Sequence, residues 1–118
     1  MSPQIRIHRW DEIALEKVTE MISRKIVSGE REMLAQIYLK RGALVPMHSH
    51  ESEQMTYILQ GALKVLVGGE EVTVREGEVL HIPSRMPHQA EALEDTLELD
   101  VFSPIRPEWV ESADEGNL

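Results

Sequence analysis

The sequence predicts an all-β fold, a single-domain barrel or sandwich, and three observations carry that prediction. Apolar residues recur at every second position through most of the chain. Turn residues interrupt these runs at short, regular intervals, and almost no segment repeats with the helical period of 3.6. A length of 118 residues suits one domain with a real core and is too short for two.

Taken in order, Ile5 and Ile7 alternate with Arg6 and His8, which reads as a short edge strand with His8 in solvent. Asp11 is placed to cap one or two helical turns over 12–16. From Glu20 to Val27 the pattern is extended, with Ile22, Arg24 and Ile26 on one face, and Ser28-Gly29-Glu30 turns the chain. Arg31 to Lys40 sets Met33, Ala35, Ile37 and Leu39 against Leu34, Gln36, Tyr38 and Lys40, the signature of a half-buried strand. Ala62–Val67 and Glu70–Arg75 flank Gly68-Gly69 as a hairpin. Glu78–Pro83 and His88–Leu93 are separated by a proline-rich corner. Thr96–Phe102 is the last strand, with Leu97, Leu99 and Val101 on one face and Glu98, Asp100 and Phe102 on the other. Residues 1–110 therefore read as the domain, and 111–118 as an acidic tail expected to be disordered.

Composition narrows the function classes. The formal net charge of −9 repels phosphate backbones and argues against nucleic acid as a partner. No apolar run approaches the roughly 18 residues of a membrane span, and the first residues lack a signal-peptide pattern, so a cytoplasmic location without membrane contact is expected. There is no cysteine, which removes disulfides and thiolate metal sites.

The chemistry concentrates in Gly42–Gly61. His48, His50 and Gln54 share even parity, so an extended segment with a modest irregularity would project two imidazoles and an amide oxygen from one face. His88, behind the second proline of Pro83-Ser84-Arg85-Met86-Pro87, supplies a third imidazole. Neutral imidazole nitrogen with one carbonyl-type oxygen suits one divalent ion per chain, zinc or nickel first, with manganese, iron or cobalt as further possibilities. Glu53 could serve in place of Gln54 only after a register slip, since its parity is wrong. Packing is the default explanation for His81 and for Met21, Met33, Met47 and Met55.

Gly42, His48-x-His50, Gln54 and Gly61 together resemble the first motif of the cupins, and Gly77, Pro83 and His88 resemble the second. Two positions depart from that pattern: Gln54 stands where Glu is usual, and Arg85 stands where Gly is usual. The resemblance implies a cupin jelly roll. Gln54 together with Asp-Val-Phe-Ser-Pro-x-Arg, residues 100–106, is similar to the KdgF cupins of pectin and uronate degradation. That resemblance implies metal ligation by His48, His50, Gln54 and His88, a substrate site lined by Asp100, Phe102 and Arg106, and a homodimer. It implies conversion of 4,5-unsaturated uronates, small anionic sugars, to linear 4-deoxy-5-keto uronates, with Asp100 and Arg106 as catalytic residues. Arg24 and Gln36 are further possible contacts. A non-catalytic sugar-binding or regulatory cupin, and a cupin dioxygenase or isomerase, are the alternatives.

Overall fold

The computed structural model describes residues 4–111. After a 3-10 turn at Trp10–Glu12 come β1 (Glu16–Lys17), β2 (Ile22–Ser28), β3 (Met33–Leu39), β4 (Leu44–His48), β5 (Glu53–Gln60), β6 (Ala62–Val67), β7 (Glu70–Arg75), β8 (Val79–Ile82), β9 (His88–Ala92), β10 (Thr96–Ser103) and the short helix α1 (Pro107–Glu111). The strands form a six-stranded sheet, β1-β2-β3-β10-β5-β8, and a four-stranded sheet, β4-β9-β6-β7. Every pairing is antiparallel. The expected all-β architecture is therefore present, with the alternate side chains of both sheets meeting in one core.

β3 shows why the alternation was readable. Met33, Ala35, Ile37 and Leu39 are buried, while Leu34, Tyr38 and, less so, Gln36 turn outward. β10 inverts the usual polarity: Thr96, Glu98, Asp100 and Phe102 face the interior, and the apolar Leu97, Leu99 and Val101 lie half-buried on the outer face. Register then fixes the neighbours of each inward group. Glu98 lies between Ile37 and Ile58, Asp100 between Ala35 and Thr56, and Phe102 between Met33 and Gln54.

Two turns locate the strands that carry the site. Gly61 joins β5 to β6 at φ +99°, and a Cβ there would come within 2.5 Å of Thr96 Oγ1 and 2.6 Å of the Asp95 carbonyl, so only glycine fits. Arg85, at the corner between β8 and β9, has φ 66°, the left-handed conformation in which the cupin pattern places glycine. The peptide bond between Ser103 and Pro104 is cis, and the chain there leaves β10 for α1.

Several sequence expectations are corrected. Ile5 and Ile7 form no strand and are exposed, because no neighbouring strand covers them. Asp11 is no cap: the segment makes only a 3-10 turn preceded by Arg9, whose side chain forms no capping bond. Of the four methionines assigned to packing, only Met33 is buried; Met21, Met47 and Met55 are exposed. His81 is also exposed, its Nε2 2.6 Å from Glu53 Oε2, so Glu53 points away from the interior. The tail assigned to 111–118 lies outside the described residues except for the end of α1.

Candidate active site

His48, His50, Gln54 and His88 do meet, but not along one strand. His48 ends β4, His50 sits in the loop, Gln54 is near the start of β5, and His88 opens β9 directly opposite His48. The three imidazoles place one ring nitrogen each within 4.8 Å of one another, and that cluster contains no carboxylate.

Hydrogen bonding fixes the tautomers. Nδ1–H of His48 donates to the Pro46 carbonyl at 2.8 Å, that of His50 to the Ser52 carbonyl at 2.9 Å, and that of His88 to the Met86 carbonyl at 2.8 Å. Each Nε2 is then left with a lone pair and no proton. The Gln54 amide completes this arrangement. Thr56 has a single hydroxyl proton, which it gives to Asp100 Oδ1 at 2.7 Å, so its oxygen accepts from Gln54 Nε2 at 2.8 Å. That turns Gln54 Oε1 toward His50 Nε2, 3.0 Å away. An acceptor thus faces an acceptor, and the buried Nε2 of His88 has no hydrogen-bond partner among the described residues. Four converging lone-pair donors without protons fit a divalent cation and little else.

Burial lowers the pKa of all three histidines, that of His48 to about 4, and the Arg106 charge lowers each further. The rings are consequently neutral at pH 7, the form that binds metal.

The rest of the cavity is an acid pair and a cationic aromatic wall. Glu98, Asp100, Phe102, Arg106 and Trp109 line the same cavity as His48, Gln54 and His88. Asp100 is 3% exposed, and burial raises its pKa to about 6 against the opposing effects of Thr56, Glu98 and Arg106. Arg106 donates from Nε to Glu108 at 2.9 Å and stacks 4.2 Å from the Trp109 ring, an arrangement that leaves its terminal nitrogens as a fork. Phe102 packs edge-on to His50 at 5.7 Å and to Trp109 at 5.1 Å. The buried Ser52 hydroxyl donates to the Pro104 carbonyl at 2.6 Å, tying the His50 loop to the turn that carries Arg106.

Two suggested contacts are not in this cavity. Arg24 is buried, but its guanidinium lies on the far side of Trp109, 4.2 Å from the ring, and pairs with Glu16 at 3.0 Å. Gln36 is on the outer face of its strand, accepting from Tyr38 Oη at 3.1 Å. Conversely, Thr56, Glu98 and Trp109 were missed. The even parity that Thr56 shares with Gln54, and Glu98 with Asp100, is the signal that marks the first two.

A jelly roll with this histidine cluster at its centre is a cupin: the cupin domain family matches residues 36–103, and the chain belongs to it. Within the family it is KdgF-like. It is 37% identical to KdgF from Halomonas sp., whose solved structure superposes with a TM-score of 0.78 over 83% of this chain and 94% of that one. It is 26% identical over 103 residues to the pectin degradation protein KdgF of Dickeya dadantii, covering 85% of this chain and 94% of that protein. An RmlC-like cupin from Shewanella frigidimarina matches at TM-score 0.84 over 92% of this chain and 99% of that one, but at 22% identity, a likeness of fold alone.

Proposed function

We propose that this chain converts 4,5-unsaturated uronate monosaccharides, the products of pectate and alginate lyases, to linear 4-deoxy-5-keto uronates. The observation that carries this reading is the meeting, in one cavity, of a charge-neutral metal-donor set with a buried acid and an arginine fork. The likeness to proteins named KdgF supports it.

The conversion is an isomerisation. A proton leaves the anomeric hydroxyl, the bond from C1 to the ring oxygen breaks, and C4 gains a proton as the enol becomes a ketone. A divalent ion held by His48, His50, Gln54 and His88 would polarise substrate oxygens as a Lewis acid. Arg106 pairs its terminal nitrogens with the sugar carboxylate in a forked contact. Asp100, ionised above about pH 6, takes the anomeric proton and returns it to C4, so the group ends in the state in which it began. Phe102 offers an apolar face to the ring. The cavity holds about 50 Å³ for water-sized groups, room for an ion and a few waters.

Neutral ligands matter for an anionic substrate. A carboxylate ligand would cancel part of the ion's charge, whereas Gln54 leaves it whole beside Arg106, a local positive site in an otherwise acidic chain. The missing carboxylate also weighs against oxygen activation, which favours two histidines and a carboxylate. A homodimer belongs to this reading, because Leu34, Tyr38, Met55, Tyr57 and Val79 leave an apolar outer face on the larger sheet. Light scattering that returns the mass of one chain would remove that part.

The direct test is ultraviolet loss of the conjugated alkene when metal-loaded protein meets lyase-generated unsaturated galacturonate. Persistent absorbance with tight uronate binding would indicate a non-catalytic sugar-binding cupin, and oxygen uptake would indicate an oxygenase.

A further inference from the structure

We propose that Glu98 is a positioning residue for Asp100: its carboxyl stays protonated at neutral pH and donates a hydrogen bond to the Asp100 carboxylate, so that the pair holds one proton. The inference rests on the reading above only in taking Asp100 as the proton-transfer group.

Glu98 is 6% exposed, and its two cross-strand neighbours, Ile37 and Ile58, are both buried. It stands one inward position from Asp100 on the same buried face of β10, and both carboxyls line the same cavity. Among the described residues it forms no ion pair with Lys, Arg or His. The charged group in its row is Arg24 of β2, two strands away, whose guanidinium is held by Glu16 and the face of Trp109. From the segment after β10, Arg106 acts on Asp100, and from the smaller sheet His48 and His88 look into the cavity. Leu63 and Val65 of β6 face it with apolar atoms.

Two carboxyls this close in an apolar wall cannot both ionise, so one proton is retained. Asp100 has the better claim to the charge, because Thr56 donates to it and Arg106 lies near it, and Glu98 has neither advantage. The pKa shifts agree in direction: burial, then the Asp100 charge, raise Glu98 well above the ordinary range, and the bond from Glu98 opposes the rise at Asp100. Glu98 thereby gives Asp100 a second donor beside Thr56, fixes its rotamer, and keeps it a usable base at neutral pH. The proposed bond adds Glu98 to the chain of hydrogen bonds that runs from Asp100 through Thr56 to the Gln54 amide.

The experiment compares metal-loaded wild type with Glu98→Gln, Glu98→Leu and Asp100→Asn. Infrared spectroscopy at pH 7 reads the protonated carboxyl stretch without any turnover. The band is expected in wild type and in Asp100→Asn and is expected to vanish in both Glu98 variants. In the pH profile of turnover, Glu98→Leu should move the rising limb upward by about one unit or more and lower the rate on the order of tenfold. Glu98→Gln, whose amide can still donate to Asp100, should restore most of that loss. A band that is missing from wild type, or that survives Glu98→Gln, overturns the proposal. So does equal damage from Gln and Leu. If wild type turns over no uronate, the infrared result still decides the proton's position, and the failure belongs to the functional reading alone.

Discussion

The metal end and the acid end of the cavity are held in place by different means. Each histidine is oriented by a backbone carbonyl two residues away, those of Pro46, Ser52 and Met86. The acid end is oriented by a side chain from another strand: the Thr56 hydroxyl of β5 holds the Asp100 carboxylate of β10. A backbone anchor comes with the local chain path and survives side-chain substitution nearby. An anchor made of side chains disappears with one replacement. The difference teaches that the three histidines should be lost only when one of them is itself replaced, whereas Gln54 and the acid end, which share Thr56, should fail by degrees.

The largest expected effect is at the ligands. Removing the His88 imidazole by His88→Ala, or likewise His48 or His50, should abolish stoichiometric metal binding by elemental analysis. It should also cancel the rise in melting temperature that a folded-state ligand confers. Full occupancy in all three variants would remove the proposed site.

Asp100→Asn should lower turnover by on the order of a hundredfold or more while the metal content stays at wild type. It carries a second, opposite signature in stability. Asp100 titrates near 3.8 when unfolded and near 6 when folded, so between those values the native state binds more protons. Stability therefore falls as pH rises from about 4 to about 6 and stays reduced above that. Asn has no proton to lose. Metal-free Asp100→Asn should thus unfold at a higher temperature than metal-free wild type at pH 7, with the gap closing near pH 4. A variant less stable than wild type at pH 7 would show that Asp100 is not strained by burial.

How much of this was legible in the sequence divides along the same line. His48, His50, Gln54 and His88 are set by local spacing and by turns at Gly61 and Arg85, so their pattern survives in a string of letters. The burial of Met33, Ala35, Ile37 and Leu39 was legible for a similar reason, the strict period of two. Glu98 was half legible: its parity puts it on the face of Asp100, but an acid between leucines reads as solvent-facing, and the register with Ile37 and Ile58 is what reveals the apolar wall around it. Thr56 was missed because its role depends on Asp100, 44 residues away. Trp109 belongs to a helix one turn long, and its contacts with Arg24, Arg106 and Phe102 are wholly tertiary.

Smaller effects should come from residues that join the two ends. Gln54→Glu should keep or tighten the metal and slow turnover about tenfold, because the added charge weakens the Lewis acid and its attraction for a uronate. An unchanged rate at full occupancy would show that ligand neutrality is not functional. Thr56→Val removes the hydroxyl that aims the Gln54 amide. Metal affinity should fall roughly tenfold, the lower range for an outer-shell partner. Unchanged affinity would show that Gln54 orients itself.

The smallest expected effect tests whether the three histidines rest on backbone alone. Arg85 adopts φ 66° with its side chain exposed, while its N–H donates to the His50 carbonyl at 2.8 Å and the neighbouring Ser84 hydroxyl donates to the Glu51 carbonyl at 2.6 Å. The corner before His88 is thus bonded to the loop of His50 through groups that Arg85→Gly leaves intact. A non-glycine residue in the left-handed region costs about 1–2 kcal/mol. Glycine relieves that cost and returns about 0.4–1 kcal/mol of it through a freer unfolded chain. The balance is a gain of about 0–1.6 kcal/mol, a rise of up to several degrees in melting temperature for a domain of this size, with metal affinity unchanged. A loss of stability or of metal in Arg85→Gly would show that the exposed guanidinium holds the corner, and the histidines would then depend on a side chain as Gln54 does.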